Sequence, residues 1–217
     1  MSKGEIQLIT GCMYAGKTSE MFLRVQRQAH AGRHPLIIRF AGDNRYNETD
    51  EGDQEEEEEA RAAMATSHDR YTMVAVSVDA NGLTTEIPGL DKAGVVGIDE
   101  GQFYDNLAPF CDALANDGKV VIVAALDSTW ERKPFPQVSQ LYSVADTVDK
   151  LKGVCIVCSG EASFSRRITS STELVDVGGD DKYICVCRSC FDVPIEQEKL
   201  DKRKQSVELI LKMRSGQ

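Results

Sequence analysis

The chain has 217 residues, 41% of them hydrophobic, and a formal net charge of −10; that is enough for one sizeable packed domain with a small appendage and too short for two full domains. The acidic balance excludes a protein that coats nucleic acid, because phosphate backbones draw basic surfaces. Met1-Ser2-Lys3-Gly4-Glu5 lacks the apolar core of a secretory signal, and the longest aliphatic run, Val120 to Leu126, falls short of the roughly 20 residues that cross a bilayer. A cytoplasmic protein with no membrane or nucleic-acid partner is expected.

Glu5 to Thr10 reads as a short buried strand, followed by a glycine-rich turn and a helix from about Thr18. Met21, Phe22, Val25 and Ala29 keep the helical period, and Gly32 is placed to close that helix. Leu36 to Phe40 is a second apolar run of strand length. Asp50, Glu51, Asp53 and Glu55 to Glu59 then supply eight acidic groups with no Lys or Arg among them, leaving only −2 for the rest of the chain. Such a stretch repels itself and has little to bury, which predicts a mobile insertion at about residues 47–60.

Tyr71 to Val78, rich in β-branched residues, predicts another strand. Gly94 to Ile98 is a buried strand, Asn106 to Asp117 a helix closed by Gly118, and Val120 to Leu126 a strand covered on both faces. This alternation predicts an α/β fold with a mostly parallel sheet over residues 1–151. From Lys152 cysteines and glycines replace the long aliphatic runs, which marks a small module over residues 152–192. Residues 193–217 suit a surface helix or a disordered tail equally well.

Gly11-Cys12-Met13-Tyr14-Ala15-Gly16-Lys17-Thr18 fits G-x-x-x-x-G-K-[ST] at every defined position. The two glycines let the backbone curl so that successive N–H groups face phosphates. Lys17 brings a mobile charge to the β and γ phosphates of ATP, and the Thr18 hydroxyl can ligate Mg²⁺. The following helix adds the positive end of its dipole. A glycine-containing turn can match by chance, but the strand before and the amphipathic helix after supply the context the motif needs.

Val95-Val96-Gly97-Ile98-Asp99-Glu100 delivers two adjacent carboxylates at a strand's C-terminal end, the edge where open α/β sheets bind ligands. The division of labour this suggests is metal positioning for Asp99 and general base for Glu100, against an attacking hydroxyl. Asp43-Asn44-Arg45 follows the second strand and belongs to the same edge, where an Arg can stabilise a transferring phosphoryl group; solvated loop charges are the equally open reading. Asp127, after the fourth strand, has the same standing.

The chain has seven cysteines, and Cys155-x-x-Cys158 and Cys187-x-x-Cys190 offer four thiolates, the ligand number of structural zinc. Neither pair opens a helix after a strand, which argues against a thioredoxin-like redox role. Cys185 stands close enough to compete with Cys187 but lacks the Cys-x-x-Cys spacing. Cys12 and Cys111 read as small packing residues.

Taken together, these features resemble the zinc-containing, P-loop type of the thymidine kinase family found in animals and many bacteria. The resemblance runs from about Glu5 to Phe191. It is carried by Asp99-Glu100-Gly101-Gln102-Phe103, by Val121 to Asp127, by Arg132-Lys133-Pro134-Phe135 and by Gly178-Gly179-Asp180-Asp181-Lys182-Tyr183. It implies a RecA-like core plus a zinc-anchored lasso that closes over the nucleoside. Glu100 would be the base for the 5′-hydroxyl; Gly11 to Thr18, Asp43 to Arg45 and Asp99 to Gln102 would surround ATP and Mg²⁺.

Leu174, Val175, Asp176, Val177 and Gly178 would hold the thymine base mainly through backbone groups, with Tyr183 beside it. Met13, Leu126 and Ser165 would line the region of the thymine methyl, with Phe103, Trp130 and Phe135 completing the pocket. A homotetramer and feedback inhibition by dTTP are implied as well. Three departures stand out: Trp130 where Phe is usual, Ser165 where Thr is usual, and the acidic insertion. One missing methyl changes a pocket by about 1 kcal/mol, so tuning of thymidine preference is expected from Ser165. A P-loop transferase for deoxycytidine or a sugar, and a nucleotide-gated binding protein, are the competing readings.

Overall fold

The computed structural model describes residues 3–42, 65–66, 72–73, 75–169 and 182–215. In chain order, β1 (Glu5–Gly11) leads to α1 (Lys17–His30) and β2 (Pro35–Phe40). The short strands β3 (Ala65–Thr66) and β4 (Thr72–Met73) precede β5 (Ala75–Val78) and β6 (Val95–Ile98). Then come α2 (Leu107–Asn116), β7 (Val120–Ala124), α3 (Pro136–Val144) and β8 (Thr147–Leu151). Six strands form one parallel sheet in the order β5-β2-β6-β7-β1-β8.

The side-chain period of a strand explains the layering. Leu8, Val123, Ile98 and Ile38 are register partners across four strands and face one way, as do Ile6, Val121, Val96 and Leu36. They meet Leu107, Phe110 and Leu114 of α2 and Val138 and Leu141 of α3. The alternate residues Ile9, Ile122, Ala124 and Ile37 face Met21, Phe22 and Val25 of α1. Helices thus cover both faces, and β6 and β7 are buried at every position. Each fully buried Leu or Ile contributes roughly 1.5–3 kcal/mol, so these rows are the main source of cohesion. Gly97 keeps α1 close, because a Cβ there would meet Ile37 Cδ1 at 2.7 Å and Val25 Cγ2 at 3.0 Å.

Two elements carried no clear sequence signal. α3 starts on Pro136, a residue suited to a first helical turn, and buries only Val138 and Leu141. β8 is a polar edge strand, tied to α1 by the Arg24–Asp149 ion pair at 2.9 Å.

Beyond β8, β9 (Gly153–Val154) pairs antiparallel with β10 (Glu161–Ala162), and β11 (Phe164–Arg167) pairs antiparallel with β12 (Tyr183–Val186). A 3-10 turn, Arg188–Cys190, and α4 (Gln197–Ser215) follow. Cys155, Ala162, Ile184, Cys185, Val186 and Cys190 form a small core that takes in Cys12 from the turn after β1. Ile195 and Leu200 pack on it from the start of the C-terminal segment. Among the described residues, no helix is long and apolar enough to cross a membrane.

Candidate active site

The turn between β1 and α1 is built on backbone angles that glycine favours: Gly11 has φ 141° and Gly16 φ 82°, and Tyr14 adopts φ 63°. A Cβ on Gly11 would meet the Leu151 carbonyl oxygen of β8 at 2.4 Å, so glycine is required there on two counts. Lys17 bends back over the turn and donates from Nζ to the Cys12 carbonyl at 2.9 Å. Burial pushes its ammonium below the ordinary lysine pKa; Glu100 opposes that most strongly, ahead of Cys12, Asp99 and Asp127. The Glu100 carboxylate is therefore near enough for its charge to favour the Lys17 ammonium.

Asp99 and Glu100 follow β6 at the carboxyl edge of the sheet. Asp99 is buried, and its Oδ1 accepts from Thr18 Oγ1 at 3.0 Å and from the Glu100 N–H at 3.0 Å. Glu100 sits in the left-handed region, φ 53° and ψ 42°, which turns its side chain out of the strand direction. Gly101 and Gln102 open a 3-10 turn, Gly101–Phe103. Buried Gln102 donates from Nε2 to Glu100 Oε2 and accepts from the Leu126 N–H at 2.9 Å. Its own carbonyl accepts from Nε2 of Gln137 in α3. Asp127 is paired with Lys150 at 2.5 Å.

A second group surrounds β11. The Ser165 hydroxyl accepts from the Met13 N–H at 2.9 Å, joining the phosphate turn to that strand. Two residues along the same buried face, the Arg167 guanidinium lies 4.8 Å from the Trp130 ring centroid and 5.3 Å from that of Tyr183. It also donates from Nη2 to the Tyr183 hydroxyl at 2.7 Å. A cavity of about 520 Å³ opens beside them, lined by Trp130, Arg167, Thr169 and Phe191 among others. Phe135 is buried, and Phe103 stacks on Phe40 with centroids 4.6 Å apart. Asp43, Asn44, Arg45 and the segment Leu174 to Gly178 lie outside the described residues.

The sulfurs of Cys155, Cys158, Cys187 and Cys190 all lie within 4.8 Å of one another, and Cys158 and Cys187 are 3.8 Å apart. A tetrahedron of zinc–thiolate bonds has sulfur–sulfur edges of about 3.8 Å, so the four residues fit such an ion. Burial raises the Cys155 thiol, but the N–H groups of Cys187, Cys158 and Val157 outweigh it and bring it down to about 6, favouring the thiolate a metal needs. Cys185 stands apart from this cluster: its sulfur lies 3.3 Å from that of Cys12. Cys111 is buried in the α2 layer, where burial pushes its thiol up.

Gln137 and Arg167 are polar residues of this region that the sequence reading passed over. Gln137 lies in a helix without a strong sequence signal, and Arg167 in a module whose burial pattern is too short to read. A glycine-framed phosphate turn and a following carboxylate pair at the edge of a parallel sheet define the class: an α/β protein of the P-loop type. The family model described as thymidine kinase matches residues 4–191, and the chain belongs to that family. It is similar to thymidine kinase of fowlpox virus, 42% identical over 193 residues that span 88% of this chain and 98% of the relative. Raccoon poxvirus thymidine kinase is 39% identical over 191 residues, 88% of this chain and 98% of the relative. Thymidine kinase 1 of Dictyostelium discoideum is 40% identical over 189 residues, 87% of this chain and 78% of the relative.

Proposed function

We propose that this protein transfers the γ-phosphoryl group of ATP to the 5′-hydroxyl of thymidine or deoxyuridine, with Glu100 as the general base. As a member of the thymidine kinase family it is an ATP-dependent kinase that phosphorylates thymidine for nucleotide salvage. The observation that carries the residue assignment is the link from Thr18 through Asp99 Oδ1 to the Glu100 N–H, which sets Glu100 beside the turn over which Lys17 folds.

In this reading the turn Gly11 to Thr18 cradles the phosphates and Lys17 balances charge on the γ-phosphoryl group. Glu100, steadied by Gln102, takes the hydroxyl proton as the 5′ oxygen bonds to phosphorus and the bond to the β-phosphate oxygen breaks, leaving ADP. Thr18 and Asp99 would hold Mg²⁺, which supplies neutralisation of the developing phosphate charge. Gly101 and Gln102 complete the ATP-facing turn, and Asp43, Asn44 and Arg45 join the same edge.

Met13, Leu126 and Ser165 face the thymine methyl, and Phe103, Trp130, Phe135 and Tyr183 wall the base, with Leu174 to Gly178 as the closing strap. The cysteine cluster would hold a structural Zn²⁺ at the root of that strap, giving a small module the order its short core cannot. Residues 1–151 then form the nucleotide-binding domain and 152–192 the lasso. Homotetramer formation, inhibition by dTTP and a cytoplasmic location belong to the same reading, on the strength of family membership.

A nucleoside panel tests it. Thymidine and deoxyuridine should be phosphorylated with ATP far faster than deoxycytidine; the reverse preference would reject the pocket assignment.

A further inference from the structure

Cys12 is the second residue of the phosphate turn, and Cys185 lies in β12. Their sulfurs are 3.3 Å apart, and the two residues are 1% and 5% exposed. Neither belongs to the four-thiol cluster. Gly153 makes the room for this contact, since a Cβ there would meet the Cys185 sulfur at 2.5 Å and the Cys12 sulfur at 3.6 Å. We propose that Cys12 and Cys185 form a reversible disulfide site at which a small hydroperoxide disables the phosphate turn. The proposal rests on the reading of that turn as the ATP site.

The chemistry balances with hydrogen peroxide as the oxidant. The Cys12 thiolate attacks one peroxide oxygen, the O–O bond breaks, and hydroxide leaves, giving a sulfenic acid. The Cys185 sulfur then attacks that sulfur; the S–S bond forms, the S–O bond breaks, and the hydroxyl departs as water with the Cys185 proton. Two thiols are oxidised and one peroxide is reduced to two waters. A dithiol reverses the step by exchange.

Bond formation must bring the sulfurs from 3.3 Å to about 2.05 Å. Cys185 is held in a strand pair, opposite Ser165 of β11, so the turn has to give more than the strand. The turn's working parts hang on the same residues. The Cys12 carbonyl accepts from Lys17 Nζ, and the adjacent Met13 N–H is held by Ser165. A misplacement of about 1 Å at reacting groups costs on the order of a hundredfold in rate. Oxidation is therefore expected to suppress phosphoryl transfer while leaving the fold and the four-thiol cluster in place.

The test treats the metal-loaded full chain with graded hydrogen peroxide, then follows thymidine phosphorylation, metal release to a chromogenic chelator, and disulfide-linked peptides under non-reducing conditions. A Cys12–Cys185 peptide should appear before metal is released, with activity down at least about tenfold and restored by dithiothreitol. Cys185→Ser should begin with ordinary activity and, with only the sulfenic step open to it, lose less of it than the parent chain at the same peroxide dose and give no linked peptide; Cys185→Ala serves if the serine variant folds poorly. Loss of activity that tracks metal release, with Cys12 and Cys185 still reduced, would overturn the proposal, as would equal inactivation of a folded Cys185 variant. The linked peptide is read without catalysis, so its appearance in protein unable to phosphorylate thymidine would preserve the disulfide site and remove the ATP-site reading instead.

Discussion

The Thr18 hydroxyl donates to Asp99 Oδ1 at 3.0 Å, joining the first turn of α1 to the end of β6. Two elements distant in sequence thus present a hydroxyl and a carboxylate to one point. Asp99→Asn keeps the shape and removes the charge. The variant should need more Mg²⁺ for half-maximal rate and lose roughly tenfold or more in kcat/KM for ATP, about 1.4 kcal/mol of transition-state stabilisation. A steady-state titration of Mg²⁺ at fixed ATP reads this, and an unchanged Mg²⁺ requirement would remove Asp99 from the metal.

Glu100→Gln should lower turnover at least about a hundredfold, the scale of a lost general base. ATP and thymidine should still raise the melting temperature of the variant, since binding depends on other groups. Turnover equal to that of the parent chain would assign the base elsewhere.

Lys17 gives a pH prediction with a definite sign. Burial lowers its pKa in the free protein, and the negative charge of bound ATP favours the ammonium form. Between the lowered value and the higher one in the complex, binding must take up a proton. ATP affinity should therefore fall as pH rises through that window and be independent of this group below it. Calorimetry in two buffers of different ionisation enthalpy measures the uptake, and identical heats within that window would contradict it.

Removal of the metal should act on the nucleoside first. Cys158→Ser leaves three thiols, and bound zinc measured by elemental analysis should drop from about one per chain to a small fraction. Thymidine affinity should weaken more than ATP affinity, because β11 and β12 belong to the module the cluster anchors, whereas the turn after β1 meets that module through Cys12 and Met13 and is also held by the sheet. Folded, active protein containing no metal would dispose of the zinc assignment.

Gly11→Ala tests the backbone. The new methyl would press on the Leu151 carbonyl oxygen in a φ region unfavourable to alanine, so a loss of about 2 kcal/mol or more is expected. Urea denaturation of parent and variant measures it; equal midpoints would show that the turn is looser than its geometry implies.

The sequence displayed the sheet's interior and the phosphate turn because both obey local rules. Val120 to Ala124 is aliphatic at every position since both faces are covered, and G-x-x-x-x-G-K-[ST] follows from what phosphates demand of a backbone. The four cysteines were legible from ligand spacing. β8 was hidden because an edge strand has few positions to bury, and α3 because two apolar contacts in nine residues make no period. The role of Gln102 as a tie between Glu100, Leu126 and α3 depends on partners brought together only by folding. Cys12 read as a packing residue; its packing holds, but the sulfur of Cys185 across the turn belongs to no linear pattern.

Gly11 is the register partner of Leu151, and β9 begins at Gly153. The cysteine-bearing segment therefore leaves the same ladder that anchors the phosphate turn, with almost no slack at the junction. A displacement of β8 along β1 would therefore be felt at once by the turn after β1 and by the first strand of the cysteine module.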